Sequence, residues 1–329
     1  MRILWSLLLM TSLSAFAQRP MTGLQIGQEI PPELDDFYRK GLAYLALSQT
    51  EQGNWSENYG QQPGVVGIAL LAFLASGEDP NYGPYRDVIR KGAGFILSQQ
   101  NNETGYIGNS MYNHGFATLA LAELYGHLQE PDVGSALKKA VDLILESQEQ
   151  NPLGGWRYSP IAKDADTTVS GAQMVALYAA KNAGLSVPDK AFERGTRYYK
   201  SMTANDGGVG YSGGSQSGNT VRTAISSLVF SLYDDYESET SRKNFQFIRQ
   251  SRDRNDANYP YYQFYYLSQA LFQGDMKEWQ LWNKKMIRVF DATQTGNGSW
   301  NGPRGTTFST STALLAMALN YRLMPIYER

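Results

Sequence analysis

Gln294-Thr295-Gly296-Asn297-Gly298-Ser299-Trp300 repeats, with small changes, a stretch far upstream, Gln49-Thr50-Glu51-Gln52-Gly53-Asn54-Trp55. A third copy runs from Gln148 to Gly154-Gly155-Trp156, and weaker ones from Gln99 to Gly105-Tyr106, from Met202 to Gly210-Tyr211, and around Gln250. Each copy follows a stretch that reads as a helix. The anchors stand at 49, 99, 148, 202, 250 and 294, so the steps are 50, 49, 54, 48 and 44 residues. A period of this size in a helical chain signals repeated two-helix units.

Working outward from the turns, the helices before and after them differ in kind. In the third unit, Leu137, Ala140, Val141, Ile144 and Leu145 make one apolar stripe, while Lys138, Lys139, Asp142 and Glu146 face away from it. That is the pattern of a half-buried helix. After the turns come runs such as Val65-Val66-Gly67-Ile68-Ala69-Leu70-Leu71 and Ser311-Thr312-Ala313-Leu314-Leu315-Ala316. These are apolar or small all round and predict burial on every side. Six half-buried helices alternating with six buried ones predict an all-α fold, an α/α toroid of six hairpins with an inner and an outer ring. An open solenoid would need polar capping repeats at its ends, and the first and last units are no more polar than the rest.

Composition narrows the function classes. The chain has 329 residues, with 29 basic against 31 acidic, and no basic run, which argues against nucleic acid as a partner. It has no cysteine and two histidines, His114 and His127, so thiolate chemistry and Cys- or His-rich metal sites are excluded; no metal and no cofactor are expected. Residues 1–17 read as a secretory signal: Arg2, an apolar run Ile3 to Met10, then Ala15-Phe16-Ala17 before Gln18. The expectation is an exported protein, periplasmic or extracellular, with no transmembrane span. Residues 18–32, interrupted by Pro20, Pro31 and Pro32, read as an irregular arm, and residues 33–325 as a single toroid.

The turns carry a resemblance. A helix-ending Gln followed by Gly-x-Trp, as at Gln49/Gly53/Trp55, Gln148/Gly154/Trp156 and Gln294/Gly298/Trp300, resembles the glutamine–tryptophan motif of the prenyltransferase and squalene-cyclase repeat family. The resemblance spans residues 33–322, with Tyr106 and Tyr211 replacing Trp in units two and four and no glycine in unit five. Physically the motif reads as bracing: Gln for orphan groups at a helix end, Gly where no side chain fits, Trp over the junction.

The resemblance extends to one candidate site. Asp164-Ala165-Asp166-Thr167-Thr168-Val169 is similar to the Asp-x-Asp-Asp-Thr-Ala motif of class II terpene cyclases, with Thr167 in place of the third Asp. It implies a general acid at Asp166, with Asp164 and Thr168 as hydrogen-bonding neighbours and an isoprenoid-like apolar ligand in the barrel. His114, on the preceding inner helix, is placed to hydrogen-bond Asp166. Tyr112, Tyr261, Tyr262 and Tyr265 supply aromatic faces of the kind that stabilise cations. The same Asp-Thr-Thr also reads as a plain helix N-cap, and the tyrosines as barrel filling. Alternatives therefore stay open: a non-catalytic exported module binding a protein, peptide or glycan at the mouth, or a glycan-active enzyme, for which Asp164 and Asp166 stand too close in sequence to act as an opposed carboxylate pair.

Overall fold

The computed structural model describes residues 30–323 apart from 58, 129, 131, 215–217, 234 and 255. The expected signal segment, nearly all of the arm, and part of the Gly213–Gly218 loop lie outside the described residues. Among the described residues there are twelve helices: α1 (Pro32–Ser48), α2 (Pro63–Leu74), α3 (Arg86–Ser98), α4 (Met111–Leu124), α5 (Asp132–Gln150), α6 (Thr167–Asn182), α7 (Asp189–Met202), α8 (Thr220–Leu232), α9 (Glu239–Ser251), α10 (Pro260–Gly274), α11 (Met276–Thr293) and α12 (Thr306–Ala318). The fold is an all-α toroid. Each even-numbered helix packs on the next, and α12 packs back on α2, closing an inner ring; the odd-numbered helices form the jacket.

The sequence explains the division. Every residue of α2 from Pro63 to Phe73 is buried, whereas α5 buries one face through Val133, Leu137, Ala140, Val141 and Ile144. Small residues set the spacing of the inner ring. A Cβ on Gly67 would stand 2.7 Å from the Phe116 carbonyl oxygen of the neighbouring helix, too close for any side chain.

The turns are braces. Gln49 Nε2 donates to the carbonyls of Gly53 (3.2 Å) and of Val88 on the next outer helix (3.0 Å). Gln148 does the same to Gly154 (2.8 Å) and Ala191 (2.9 Å). Gln294 donates to Gly298 (2.8 Å) and, across the closure, to Phe37 of α1 (2.9 Å). Trp55, Trp156 and Trp300 are buried, and each indole N–H donates to a carbonyl near the end of the preceding helix: Leu45 (3.0 Å), Ile144 (2.9 Å) and Phe290 (3.0 Å).

Two anchors shift. In unit two the brace is Gln100, not Gln99: its amide reaches Gly105 (3.0 Å) and Ala136 (2.9 Å), while Gln99 is exposed. In unit four, where Met202 cannot donate, the bond runs the other way, from Asn244 of α9 to the Gly207 carbonyl at 2.8 Å. Around Gln250, α9 and α11 are instead tied by Arg249 and Arg252 to Glu278.

Candidate functional site

All six inner helices begin at one mouth of the toroid, where a cavity of about 480 Å³ opens. Every inner helix contributes near its N-terminus: Gln62 and Val65, Tyr112 and Asn113, Thr168, Asn219 and Arg222, Tyr259 and Tyr262, Arg304 and Phe308. Tyr59, Tyr158, Tyr211 and Asp256 come from the intervening loops. The wall is aromatic, and polar groups stand on it at intervals. This is the usual make-up of a small-molecule site.

Asp166 is fully buried and does not line this cavity. It is the N-cap of α6: Oδ1 accepts the N–H groups of Thr168 (2.9 Å) and Val169 (2.8 Å) and the Thr168 hydroxyl (2.7 Å), and Oδ2 accepts from Arg157 at 3.2 Å. Burial holds its carboxyl above the usual range, and these donors offset that rise only in part. Each contact gives a hydrogen to the carboxylate. That is the surrounding of an ionised acceptor rather than of an acid ready to protonate an alkene. Asp164 is largely exposed and pairs with the same Arg157 at 3.3 Å. The guanidinium of Arg157 also lies over the rings of Tyr158 and Tyr211.

His114 does not meet Asp166. Its Nδ1 accepts the Ile107 N–H (3.1 Å) and its Nε2 lies 3.0 Å from the Ala140 carbonyl, which assigns the hydrogen to Nε2. Burial lowers its pKa to about 4. The position has counterparts. Ser170 accepts the Trp156 N–H (2.9 Å), Thr223 that of Val209 (3.0 Å) and Thr310 that of Trp300 (3.0 Å). His114 is thus the second unit's version of a hydroxyl brace. The counterpart of Asp166 is Ser110, the N-cap of α4.

Of the expected ligand-binding residues, Thr168, Tyr112 and Tyr262 do line the cavity. The hydroxyls of Tyr112 and Tyr262 hydrogen-bond to each other at its floor, and burial holds both phenols well above their ordinary pKa. Tyr265 is buried below, edge-on to Tyr266, and Tyr261 packs outward on Phe264 and Phe290. Three charged lining residues carry no repeat signature: Arg222, Asp256 and Arg304. They share one wall only because the ring brings the start of α8 together with the loops before α10 and α12. Arg222 Nε donates to the Val209 carbonyl at 3.1 Å. Asp256 Oδ1 accepts the N–H groups of Asn258 (2.9 Å) and Tyr259 (3.0 Å). The Arg304 guanidinium stands 4.3 Å over the Tyr259 ring. Glu57 is a further surprise: from the first repeat it accepts the backbone N–H groups of Thr306 and Thr307, capping α12 where Gly305 offers no side chain. Nothing in the spacing of residues 249 positions apart announces that contact.

No family model and no curated protein matches the chain. Solved structures do. It is similar to an α-1,6-mannanase of glycoside hydrolase family 76 from Salegentibacter sp. HEL1_6 (TM-score 0.65, 10% identity, 87% of this chain and 99% of that one). It is similar to a family 76 mannosidase from Bacteroides thetaiotaomicron VPI-5482 (0.65, 11%, 87% and 97%) and to a D-mannose isomerase (0.62, 12%, 88% and 98%). At such identity the likeness shows the fold alone, an α/α toroid. It corrects the resemblance drawn from the turns: the chain is not placed with the prenyltransferase and squalene-cyclase repeats. The Gln and Gly-x-Trp positions brace an α/α toroid, and bracing of this kind follows from the geometry of stacked hairpins, not from one family. The terpene-cyclase-like reading, with an apolar isoprenoid in the barrel and Asp166 as its acid, falls with it. The cavity wall carries two guanidinium groups and a carboxylate, and Asp166 faces away into its cap.

Among the described residues no helix is long and apolar enough to cross a membrane, and no group of three or more His, Asp or Glu is arranged to hold a metal ion.

Proposed function

We propose that this protein is glycan-active and takes a carbohydrate into the mouth cavity. The observation that carries this reading is the wall itself: tyrosine and phenylalanine faces for the apolar sides of sugar rings, interrupted by Arg222, Arg304, Asp256, Asn113 and Asn219 for hydroxyls. The mannanases and the mannose isomerase of the same fold act on sugars, as their names state, and this supports the reading.

Among the described residues Asp256 is the one carboxylate of the lining, and we assign it acid–base work. Its Oδ1 is fixed by two backbone N–H groups, which orients the carboxyl toward a bound sugar. The Salegentibacter mannanase is inactivated by replacing two consecutive aspartates. Here Asp35-Asp36 sits on the outer helix α1, in ion pairs with Arg39 and Lys40, and no consecutive pair of described acids lines the cavity. A single acid–base group suits proton transfer at a sugar carbon, as in isomerisation or elimination, better than two-carboxylate hydrolysis. We further propose that the chain is exported, on the strength of residues 1–17.

The test is incubation of the purified protein with a panel of oligosaccharides, read by mass spectrometry and chromatography. A changed product for at least one substrate, lost in Asp256→Asn, is expected. An unchanged panel, or full turnover by Asp256→Asn, overturns the assignment.

A further inference from the structure

The acids and arginines around the mouth are matched unequally. Asp166 and Asp164 answer Arg157, and Asp166 also holds two helix N–H groups. Glu57 is engaged by the N–H groups of Thr306 and Thr307. Burial lowers the pKa of Arg222, and the charge of Asp256, on the same cavity wall, works against that shift. Among the described residues, Arg304 has no carboxylate within ion-pair distance. Its Nε is buried without a hydrogen-bond partner, and its guanidinium plane is held against Tyr259. The cavity lining therefore carries two guanidinium groups against one carboxylate. The six inner helices add to this imbalance by presenting their N-terminal, positive ends at the same mouth.

A guanidinium stacked on a ring loses little further freedom when it binds, and its fork matches a carboxylate or a sulfate. A half-buried guanidinium on the wall of an open cavity is hydrated when the site is free, and a bound anion would replace that water with charge-assisted hydrogen bonds. We infer that the sugar taken here carries an anionic group, a carboxylate as in a uronic acid or a sulfate ester, and that Arg304 is the residue that reads it, with Arg222 elsewhere on the same wall. This rests on the carbohydrate reading above and adds the charge class of the ligand. A neutral oligosaccharide would leave the guanidinium of Arg304 facing only hydroxyls.

The test is titration calorimetry of the full protein with tetrasaccharides of equal length: one neutral (mannotetraose), one of uronic acids, one sulfated. The acidic sugars are expected to bind at least tenfold more tightly than the neutral one and to weaken as sodium chloride is raised from about 20 to 300 mM, because screening acts on charge pairing. Whichever acidic sugar is the tighter identifies the anion as carboxylate or sulfate. Arg304→Met, which keeps the stem over Tyr259, should lose that preference without a change in melting temperature, and Arg304→Lys should retain part of it. Equal binding of neutral and acidic sugars, or a preference untouched in Arg304→Met, overturns the inference and leaves the carbohydrate reading standing. If none of the three sugars binds, both fall. Should Arg304→Met not fold, the salt titration of the unaltered protein decides: salt-independent affinity for the acidic sugars refutes the charge reading.

Discussion

The Gln–Gly–Trp turns and the mouth of the toroid are both built where a helix ends and another begins, yet they differ in one respect. The turns repeat. Gln49, Gln100, Gln148 and Gln294 make the same pair of bonds, and the three tryptophans donate to equivalent carbonyls. The mouth does not repeat. Arg222, Asp256 and Arg304 each occur once, and the six helix starts are finished in different ways: by Ser110, Asp166 and Asn219 as their own caps, by the borrowed Glu57, or by no N-cap side chain at all at Gln62 and Tyr259. In a repeat protein, what every unit shares holds the units together, and what one unit alone carries is free to be specific.

Breaking the repeated side should cost stability. Trp156→Ala removes a fully buried indole and is expected to lose about 3–5 kcal/mol in urea unfolding. A loss below about 1 kcal/mol would remove the turns from the role of braces. Gln148→Ala leaves the carbonyls of Gly154 and Ala191 without their shared donor and should cost about 1–3 kcal/mol. The neighbouring pair Gln99 and Gln100 sharpens the point. Gln100→Ala should behave like Gln148→Ala, whereas Gln99→Ala should stay within about 0.5 kcal/mol, because only Gln100 spans two helices. Breaking the unrepeated side should leave stability alone. Asp256→Asn can still accept the Asn258 and Tyr259 N–H groups, so its melting temperature should match the parent while turnover is lost.

A finer comparison sets two titrating groups of α4 against each other. His114, at the braced end, has a pKa lowered by burial to about 4. The unfolded chain therefore binds the proton more readily, and the contribution is present above the ordinary histidine pKa and lost as pH falls from about 6.5 toward 4. Glu123, near the far end, has a pKa raised by burial to about 7. Here the folded chain holds the proton more readily, and the contribution is present below the ordinary glutamate pKa and lost as pH rises from about 4.5 through 7. Glu123→Gln should remove only the second slope. Its melting temperature relative to the parent should climb between pH 5 and pH 8, and a constant difference across that range would contradict the buried acid.

Much of this was legible in the chain. The period of the turns and the contrast between striped and wholly apolar helices give twelve helices in two rings, because both follow from local pattern. Gln49, Gln148 and Gln294 were readable as braces for the same reason. The mouth was readable only in part. Thr168, Tyr112 and Tyr262 fall where the start of an inner helix must point, but Asp164-Ala165-Asp166 resembled an acid motif while serving as a cap, and His114 stood in for a serine or threonine. Arg304 and Asp256 precede their helices without any spacing that marks them. Their meaning depends on which loops the ring brings face to face, and that is a property of closure.

Closure has a consequence for how the molecule comes into being. Helix α12 takes its cap from Glu57, Gln294 reaches Phe37, and Tyr321 reaches Asp35, so the first unit and the last complete each other. A nascent chain that has released only its first five hairpins holds an α2 with no neighbour on one flank. An open array could gain stability one unit at a time as it emerges; this one must wait for its final helix, and its folding should be slow and all-or-none.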